Sequence, residues 1–269
     1  MKEKNVRRML VELIVPPFLY LLLTMSFTGI LEMVFPVLEE PSNAMWLLAL
    51  VNLLQIPVFF QLYRRLRLAE ACGEEREGRR RETAVPAWKR RLGPADLLSA
   101  VLGGFFLARG FNALLGLTPL PRLFPAYETV SETIYRGSLL SQAAASVVTA
   151  PVLEELLMRG LIYSRLRSFF SDLRPAMLAG ALVFALFHGN VVQGVYAFFI
   201  GLYFVWLYEA YHSLVPAVLA HASANASSIL LEQTGWLDGL YADLPLYFLT
   251  TAVCLGAGAF CWSRARRIS

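Results

Sequence analysis

The sequence predicts an all-α polytopic membrane protein with about eight transmembrane helices. Hydrophobic residues make up 57% of the 269 residues, and the mean hydropathy is +0.54. Several apolar runs reach about 18 residues or more, which is the length that a helix needs to cross the hydrocarbon core of a bilayer. The Lys and Arg residues are concentrated in alternate loops between these runs, as the positive-inside rule requires of a multi-pass protein.

Eight apolar segments are the candidate spans. The first follows a basic start from Lys2 to Arg8, and we interpret it as a retained span because its apolar stretch is long and no small-residue cleavage site ends it. The fifth is short and runs almost directly into the sixth. In chain order we place the spans at roughly 11–35, 44–63, 96–115, 139–158, 175–190, 191–210, 213–231 and 242–262.

The distribution of basic residues predicts the orientation in the membrane. The side that holds the N-terminus receives 21 of the 24 Lys and Arg residues, and Arg109 is the one that falls within a span. We therefore expect a multi-pass protein of a bacterial inner (cell) membrane, with both termini in the cytoplasm. The pI near 9.0 then reflects loops that face anionic lipid, and no nucleic-acid partner is expected.

The loops divide the chain into three predicted regions. Residues 1–63 hold two N-terminal transmembrane helices, 64–95 form a charged cytoplasmic linker rich in Glu and Arg, and 96–269 form a transmembrane bundle with its core at 139–231. The loop at 116–137 contains three prolines and then a candidate amphipathic stretch from Tyr127 to Arg136. We expect this stretch to cap the bundle from outside.

The fourth span carries adjacent carboxylates at Glu154 and Glu155. Successive helical residues point about 100° apart, whereas Glu155 and Arg159 are four residues apart and share one face. We expect Arg159 to neutralise Glu155 and Glu154 to face a cavity, as a general base would. For Glu155 and Arg159 the alternative is an ion pair at the cytoplasmic end of the helix. Pro151, which lacks a backbone N–H, predicts a local kink just before the pair.

Two further spans carry a histidine with a partner one helical turn away. Phe184 precedes His188 on the fifth span, and His221 precedes Asn225 on the seventh, among small residues that permit close helix packing. A lone histidine on an apolar helix is more often a packing residue than a functional one. Ionisable groups at membrane depth are costly, however, so the histidines together with the carboxylates predict a functional site.

A carboxylate, two imidazoles and a carboxamide suit the addition of water to a carbonyl group. A desolvated Glu helped by a His can deprotonate water, and a second His with an Asn can donate hydrogen bonds to the oxyanion. The alternative is a catalytic zinc or similar divalent metal held by Glu154, His188 and His221, with the metal activating the water. The spacing does not separate these, because the residues come from three helices and no HExxH pair is present.

The order EExxxR, FxxxH and HxxxN on successive membrane helices resembles the CAAX-protease and bacteriocin-processing family of intramembrane proteases. The resemblance covers about 139–231 and is complete at Glu154, Glu155, Arg159, Phe184, His188, His221 and Asn225. It implies an eight-helix bundle with a catalytic cavity open to water and lipid. It further implies that Glu154 and His188 activate the water and that His221 and Asn225 form the oxyanion hole. We favour this glutamate-based, type II CAAX prenyl endopeptidase-like mechanism, with a metal mechanism kept open.

The resemblance also implies the partners. Family members remove the last residues of prenylated proteins, act in bacteriocin maturation or immunity, or trim C-terminal sorting segments, so we expect a membrane-associated protein or peptide substrate with a lipidated or hydrophobic C-terminal segment. The first alternative is a non-catalytic peptide-binding or immunity protein of the same fold. The second is a proton-coupled transporter, against which the lack of an internal repeat counts.

Overall fold

Two long helices begin the chain. The computed structural model describes residues 2–76, 92–234 and 243–265. Helices α1 (Lys2–Val34) and α2 (Ala44–Arg76) are joined by two 3₁₀ turns, Pro36–Glu39 and Pro41–Asn43. Helix α2 continues well past the predicted end of the second span at 63. The remainder of the predicted linker, at 77–91, lies outside the described residues.

The other helices form the bundle that holds the site. Helix α3 (Pro94–Gly116) leads into the short α4 (Leu120–Leu123) and α5 (Ala126–Arg136), so the candidate amphipathic stretch is helical. Helices α9 (Leu173–Phe187) and α10 (Val191–Tyr211) form a hairpin, which is followed by α11 and α12. Helix α11 spans Leu214–Thr234, and helix α12 spans Leu244–Arg264.

The predicted all-α polytopic class is confirmed. Within the described ranges the ordered backbone is helical, and six helices are long and apolar enough to cross a membrane: Leu10–Val34, Pro41–Ala69, Pro94–Gly116, Val191–Tyr211, Leu214–Thr234 and Leu244–Arg264. The fifth predicted span corresponds to α9, which is apolar but has only 15 residues. The fourth corresponds to a helical stretch of changing geometry from Leu139 to Phe169.

This fourth stretch alternates between α and π geometry. It runs through α6 (Leu139–Gln142), a π segment (Ala143–Thr149), α7 (Ala150–Glu155), a second π segment (Leu156–Tyr163) and α8 (Ser164–Phe169). Pro151 cannot donate a backbone hydrogen bond to the preceding turn, which accounts for the break in α-helical bonding ahead of it. The hydroxyl of Thr149 donates to the Ala145 carbonyl at 3.1 Å. Glu154 and Glu155 therefore lie on six α-helical residues between two π segments, and such segments are frequent at functional sites.

Helix α3 is packed closely between α11 and α12. A Cβ atom at Gly104 would collide with the backbone of Ala220, so α3 and α11 approach to backbone contact. The hydroxyl of Ser223 donates to the Val101 carbonyl at 2.8 Å across the same contact. Small residues permit this approach in a membrane, where close packing drives helix association. The packing fixes α3 beside the helix that carries His221 and Asn225.

A tight turn separates α9 from α10 at His188. His188 is the C-cap of α9, and Gly189 has a φ of 71°, a left-handed conformation that glycine adopts without steric cost. Asn190 is the N-cap of α10, with its side-chain oxygen accepting from the Gln193 backbone N–H at 2.8 Å. The turn therefore holds the His188 imidazole at the end of its helix.

Candidate active site

Glu155 and Arg159 form a buried ion pair inside the bundle. Nη1 of Arg159 donates to Glu155 Oε1 at 2.9 Å, and Nη2 donates to the Gly201 carbonyl of α10 at 3.1 Å. The guanidinium also lies over the rings of Phe184 and Phe204, at 4.4 and 5.3 Å from their centroids. Cation–π contacts of this kind add to the stabilisation of a desolvated arginine.

The alternative of an ion pair at the helix end is wrong. The side chains of Arg159 and Glu155 are 1% and 0% exposed, and the helical stretch continues ten residues beyond Arg159 to Phe169. Arg159 is one of the 21 basic residues assigned to the side of the N-terminus, and its burial in the bundle removes it from that set. A buried pair of this kind is destabilising to break, because either partner alone is an uncompensated buried charge.

His221 is held against the same carboxylate. Its Nδ1 lies 2.9 Å from Glu155 Oε1, and because an ionised carboxylate only accepts, Nδ1 carries the hydrogen. The imidazole stacks on Phe204 with ring centroids 4.9 Å apart and lies edge-on to Phe184 at 5.7 Å. Its other nitrogen, Nε2, is 3.8 Å from Oε2 of Glu154. Glu155 thus orients the ring of His221 towards Glu154.

Glu154 and His188 line the cavity from two other elements. The Glu154 side chain is 21% exposed, in contrast to the fully buried Glu155 beside it, as the angular separation of the two acids predicts. Nδ1 of His188 donates to the Phe184 carbonyl at 2.8 Å. A carbonyl oxygen only accepts, so a neutral His188 has its lone pair on Nε2. Phe184 therefore contacts both histidines and fixes the tautomer of one of them.

Asn225 is anchored to the first π segment. Its Nδ2 donates to the Ser146 carbonyl at 2.7 Å, across the contact between α11 and residues 143–149. An amide nitrogen carries two hydrogens, so a second donor of the same group is available to a ligand. The hydrogen bond ties the Asn225 carboxamide to the stretch that carries Glu154.

One cavity brings the predicted residues together. It has a volume of about 450 Å³, and Glu154, His188, His221 and Asn225 all line it. Helix α5 lines it through one face, with Tyr127, Ser131, Ile134 and Tyr135. The stretch that was expected to cap the bundle thus forms part of the cavity wall. A cleft of about 520 Å³ between α9 and α10 is lined by residues without an ionisable side chain, which makes the first cavity the candidate site.

A comparison with protein families identifies this region. Residues 132–227 match the model of the family described as type II CAAX prenyl endopeptidase Rce1-like. We call this matched segment the Rce1-like domain. The similarity suggests a peptidase, and hence a hydrolase, within a membrane protein. No protein with curated annotation and no solved structure matches the chain.

The Rce1-like domain contains every residue of the three sequence motifs. It extends from α5 to the middle of α11, so it supplies the two carboxylates, both histidines and Asn225. Helices α1 to α4 and α12 lie wholly outside the matched segment. Residues of α2 and α3 nevertheless line the cavity, among them Met45, Arg109 and Asn112.

The residues of the Rce1-like site do not group as a metal centre in this conformation. Over the described residues, no three His, Cys, Asp or Glu side chains are arranged to hold a metal ion. The alternative ligand set of Glu154, His188 and His221 is therefore not grouped for a metal in this conformation. The Nδ1 contact of His221 with Glu155 leaves Nε2 free and is compatible with either mechanism.

Three contacts within the Rce1-like domain were not predicted from the sequence. The Gly201 carbonyl binds Arg159, the Ser146 carbonyl binds Asn225, and the Phe204 ring stacks on His221. Two of these act through backbone atoms, which leave no residue-type signal in a sequence. Phe204 belongs to an aromatic-rich span in which spacing alone does not distinguish one ring from another.

Proposed function

We propose that the protein is an intramembrane endopeptidase that hydrolyses a peptide bond near the C-terminus or the membrane segment of a protein substrate. The observation that carries the proposal is the difference in surroundings between Glu154 and Glu155. Glu155 is buried and bound by Arg159 and His221, while Glu154 faces the cavity shared with His188, His221 and Asn225. A carboxylate free to accept a proton is what a general base requires.

Glu154 and His188 activate the water. Glu154 removes a proton from a water molecule in the cavity, while Nε2 of His188 accepts the second hydrogen of the same water and orients it. The oxygen then adds to the carbonyl carbon of the scissile bond. The protonated Glu154 returns its proton to the leaving nitrogen, so that water and a peptide give a carboxylic acid and an amine with no net gain of protons by the site.

His221 and Asn225 stabilise the oxyanion that forms in the addition step. With a hydrogen on Nε2 as well as on Nδ1, His221 donates the Nε2 hydrogen to the oxyanion, and the second N–H of Asn225 supplies another donor. Prepositioned donors of this kind are among the largest contributions to acyl-transfer catalysis.

The partners in this proposal are the lipid bilayer and a membrane-associated protein or peptide substrate with a hydrophobic or lipidated C-terminal segment. The matched family model is named for prenyl endopeptidases, which supports a lipidated substrate. The concentration of Lys and Arg on one side supports cytoplasmic termini, and the proposed location is a bacterial inner membrane.

The decisive experiment compares the termini of membrane proteins in cells that carry the native protein or only its Glu154→Gln variant. Mass spectrometry identifies termini that vanish with Glu154→Gln, and these are the products. Glu132→Gln, at an exposed position of α5, is the matched control and should leave the termini unchanged. Termini that are identical in all three strains would contradict the peptidase and favour a non-catalytic peptide-binding protein.

A further inference from the structure

Arg109 is a second buried arginine of the bundle, and it lines the catalytic cavity. It lies on α3, seven residues before the end of that helix at Gly116, and is 8% exposed. Among the described residues it has neither a hydrogen bond nor an ion pair. A charged side chain within a membrane span is costly unless a partner compensates it, so an arginine left open to a cavity indicates an anionic ligand.

Arg159 differs from Arg109 in that its charge is compensated by contacts within the protein. Arg159 has a carboxylate, a backbone carbonyl and two aromatic rings around it. Arg109 shares its part of the cavity with polar groups that do not pair with it, including Asn112 of the same helix and Tyr196 of α10. Glu232 of α11 also lines the cavity, but it forms no ion pair with Arg109 among the described residues.

The packing of α3 places Arg109 in the same cavity as the reacting groups. Gly104 contacts the backbone of Ala220, the residue before His221. Arg109 is five residues further along α3, about 7.5 Å at the rise of an α-helix. Arg109 also lines the cavity that contains Glu154 and Asn225. An anion bound at Arg109 would therefore lie a short way from the scissile bond.

We propose that Arg109 binds the free α-carboxylate at the C-terminus of the peptide substrate and so sets the distance of the cut from the chain end. The inference rests on the proposed peptidase function. The guanidinium presents paired N–H donors that match a carboxylate. A carboxylate held there is kept apart from Glu154, which would repel it, and the scissile bond is placed between the two groups.

Binding of matched peptides to the full chain tests the site without turnover. The Glu154→Gln protein in phosphatidylcholine nanodiscs is titrated into a fluorescein-labelled ten-residue peptide with an apolar second half, made as the free acid or as the C-terminal amide. Fluorescence anisotropy should show the acid bound about tenfold tighter or more, as loss of a hydrogen bond to a charged group predicts. Equal binding of the two forms, or no binding of the acid, would overturn the proposal.

Variants at two arginines locate the preference. Adding Arg109→Met should remove the difference between acid and amide, and Arg109→Lys should keep part of it. Arg122→Met, at an exposed arginine of α4, is the matched control and should keep all of it. An acid preference that survives Arg109→Met would overturn the proposal. If that variant does not fold, as judged by gel filtration, Arg109→Lys and the comparison of acid with amide in the parent protein still decide.

Two further binding measurements distinguish the α-carboxylate from other anionic groups that Arg109 could bind. An amidated peptide with Asp at its last position offers a side-chain carboxylate, and binding as tight as that of the free acid would contradict recognition of the α-carboxylate. Nanodiscs of phosphatidylglycerol offer a lipid phosphate, and loss of the acid preference in them would assign Arg109 to lipid. None of these binding measurements requires hydrolysis. A failed cleavage assay would therefore contradict the peptidase but not the binding of the α-carboxylate at Arg109, and equal binding of acid and amide would contradict that binding but not the peptidase.

Discussion

The Nδ1 atom of His221 lies 2.9 Å from Oε1 of Glu155, the same oxygen that accepts a hydrogen bond from Arg159. One carboxylate oxygen thus joins a histidine of α11 to an arginine four residues beyond Glu155 along the chain. The contact makes Glu155 a positioning residue, since it acts on the cavity through the ring of His221. Substitution of Glu154 and substitution of Glu155 should therefore have different effects on activity and stability.

Glutamine substitutions should separate the two acids. Glu154→Gln keeps the shape of a side chain that is 21% exposed, so it should abolish cleavage and leave the thermal unfolding midpoint nearly unchanged. Glu155→Gln leaves Arg159 without its buried partner and should cost about 3 to 5 kcal/mol of stability. Thermal unfolding in detergent and a cleavage assay measure both effects. Full activity of Glu154→Gln would refute the proposed mechanism.

Asn225→Ala should lower kcat about 100-fold, because loss of one oxyanion donor has that magnitude. Ser228→Ala, one turn away on the same cavity wall, is the control and should change kcat little. Rates at saturating substrate give the comparison. A loss under threefold for Asn225→Ala would contradict a role in the oxyanion hole.

Gly201→Ala should impair both folding and activity. A Cβ atom there would lie 2.9 Å from the Phe184 ring and 3.5 Å from Nη2 of Arg159. Overpacking of this kind costs about 1 to 3 kcal/mol, and the displaced guanidinium would shift Glu155 and His221 with it. Gly256→Ala is the matched control, since its Cβ would meet no atom within 4 Å. Equal unfolding midpoints for the two variants would contradict the close packing around Arg159.

Treatment with a chelator should leave cleavage within about twofold of the untreated rate, because the proposed steps use side chains alone. The purified protein is dialysed against EDTA, and activity and bound zinc are measured on the same sample. Loss of activity that is restored by zinc would favour the alternative with Glu154, His188 and His221 as ligands.

Polar residues in apolar spans made the site predictable from the sequence. A motif of four-residue spacing places two side chains on one helical face, and the high cost of burying Glu, Arg and His in a membrane leaves few reasons for them other than function. The separation of Glu154 from Glu155 follows from helix geometry and agrees with the exposed fractions of the two side chains.

Tertiary contacts and backbone geometry were not predictable in the same way. The burial of Arg159 depends on Gly201 and Phe204 of another helix, and a four-residue spacing is equally compatible with an ion pair at a helix end. The sequence predicted one local kink at Pro151 in the fourth span, whereas the structure has two π segments there. These segments change which carbonyls are free without changing the apolar character of the residues.

The π segment at Ala143–Thr149 makes the site depend on the number of residues before it as well as on their identity. Each residue of a helix turns the chain by about 100°, so removing one residue from this segment would restore regular α bonding and rotate Glu154 away from His221 by about that angle. The Asn225 contact with Ser146 would be lost in the same step. We therefore expect that the exposed Val148 can be exchanged for another apolar residue without loss of activity, whereas its deletion abolishes activity.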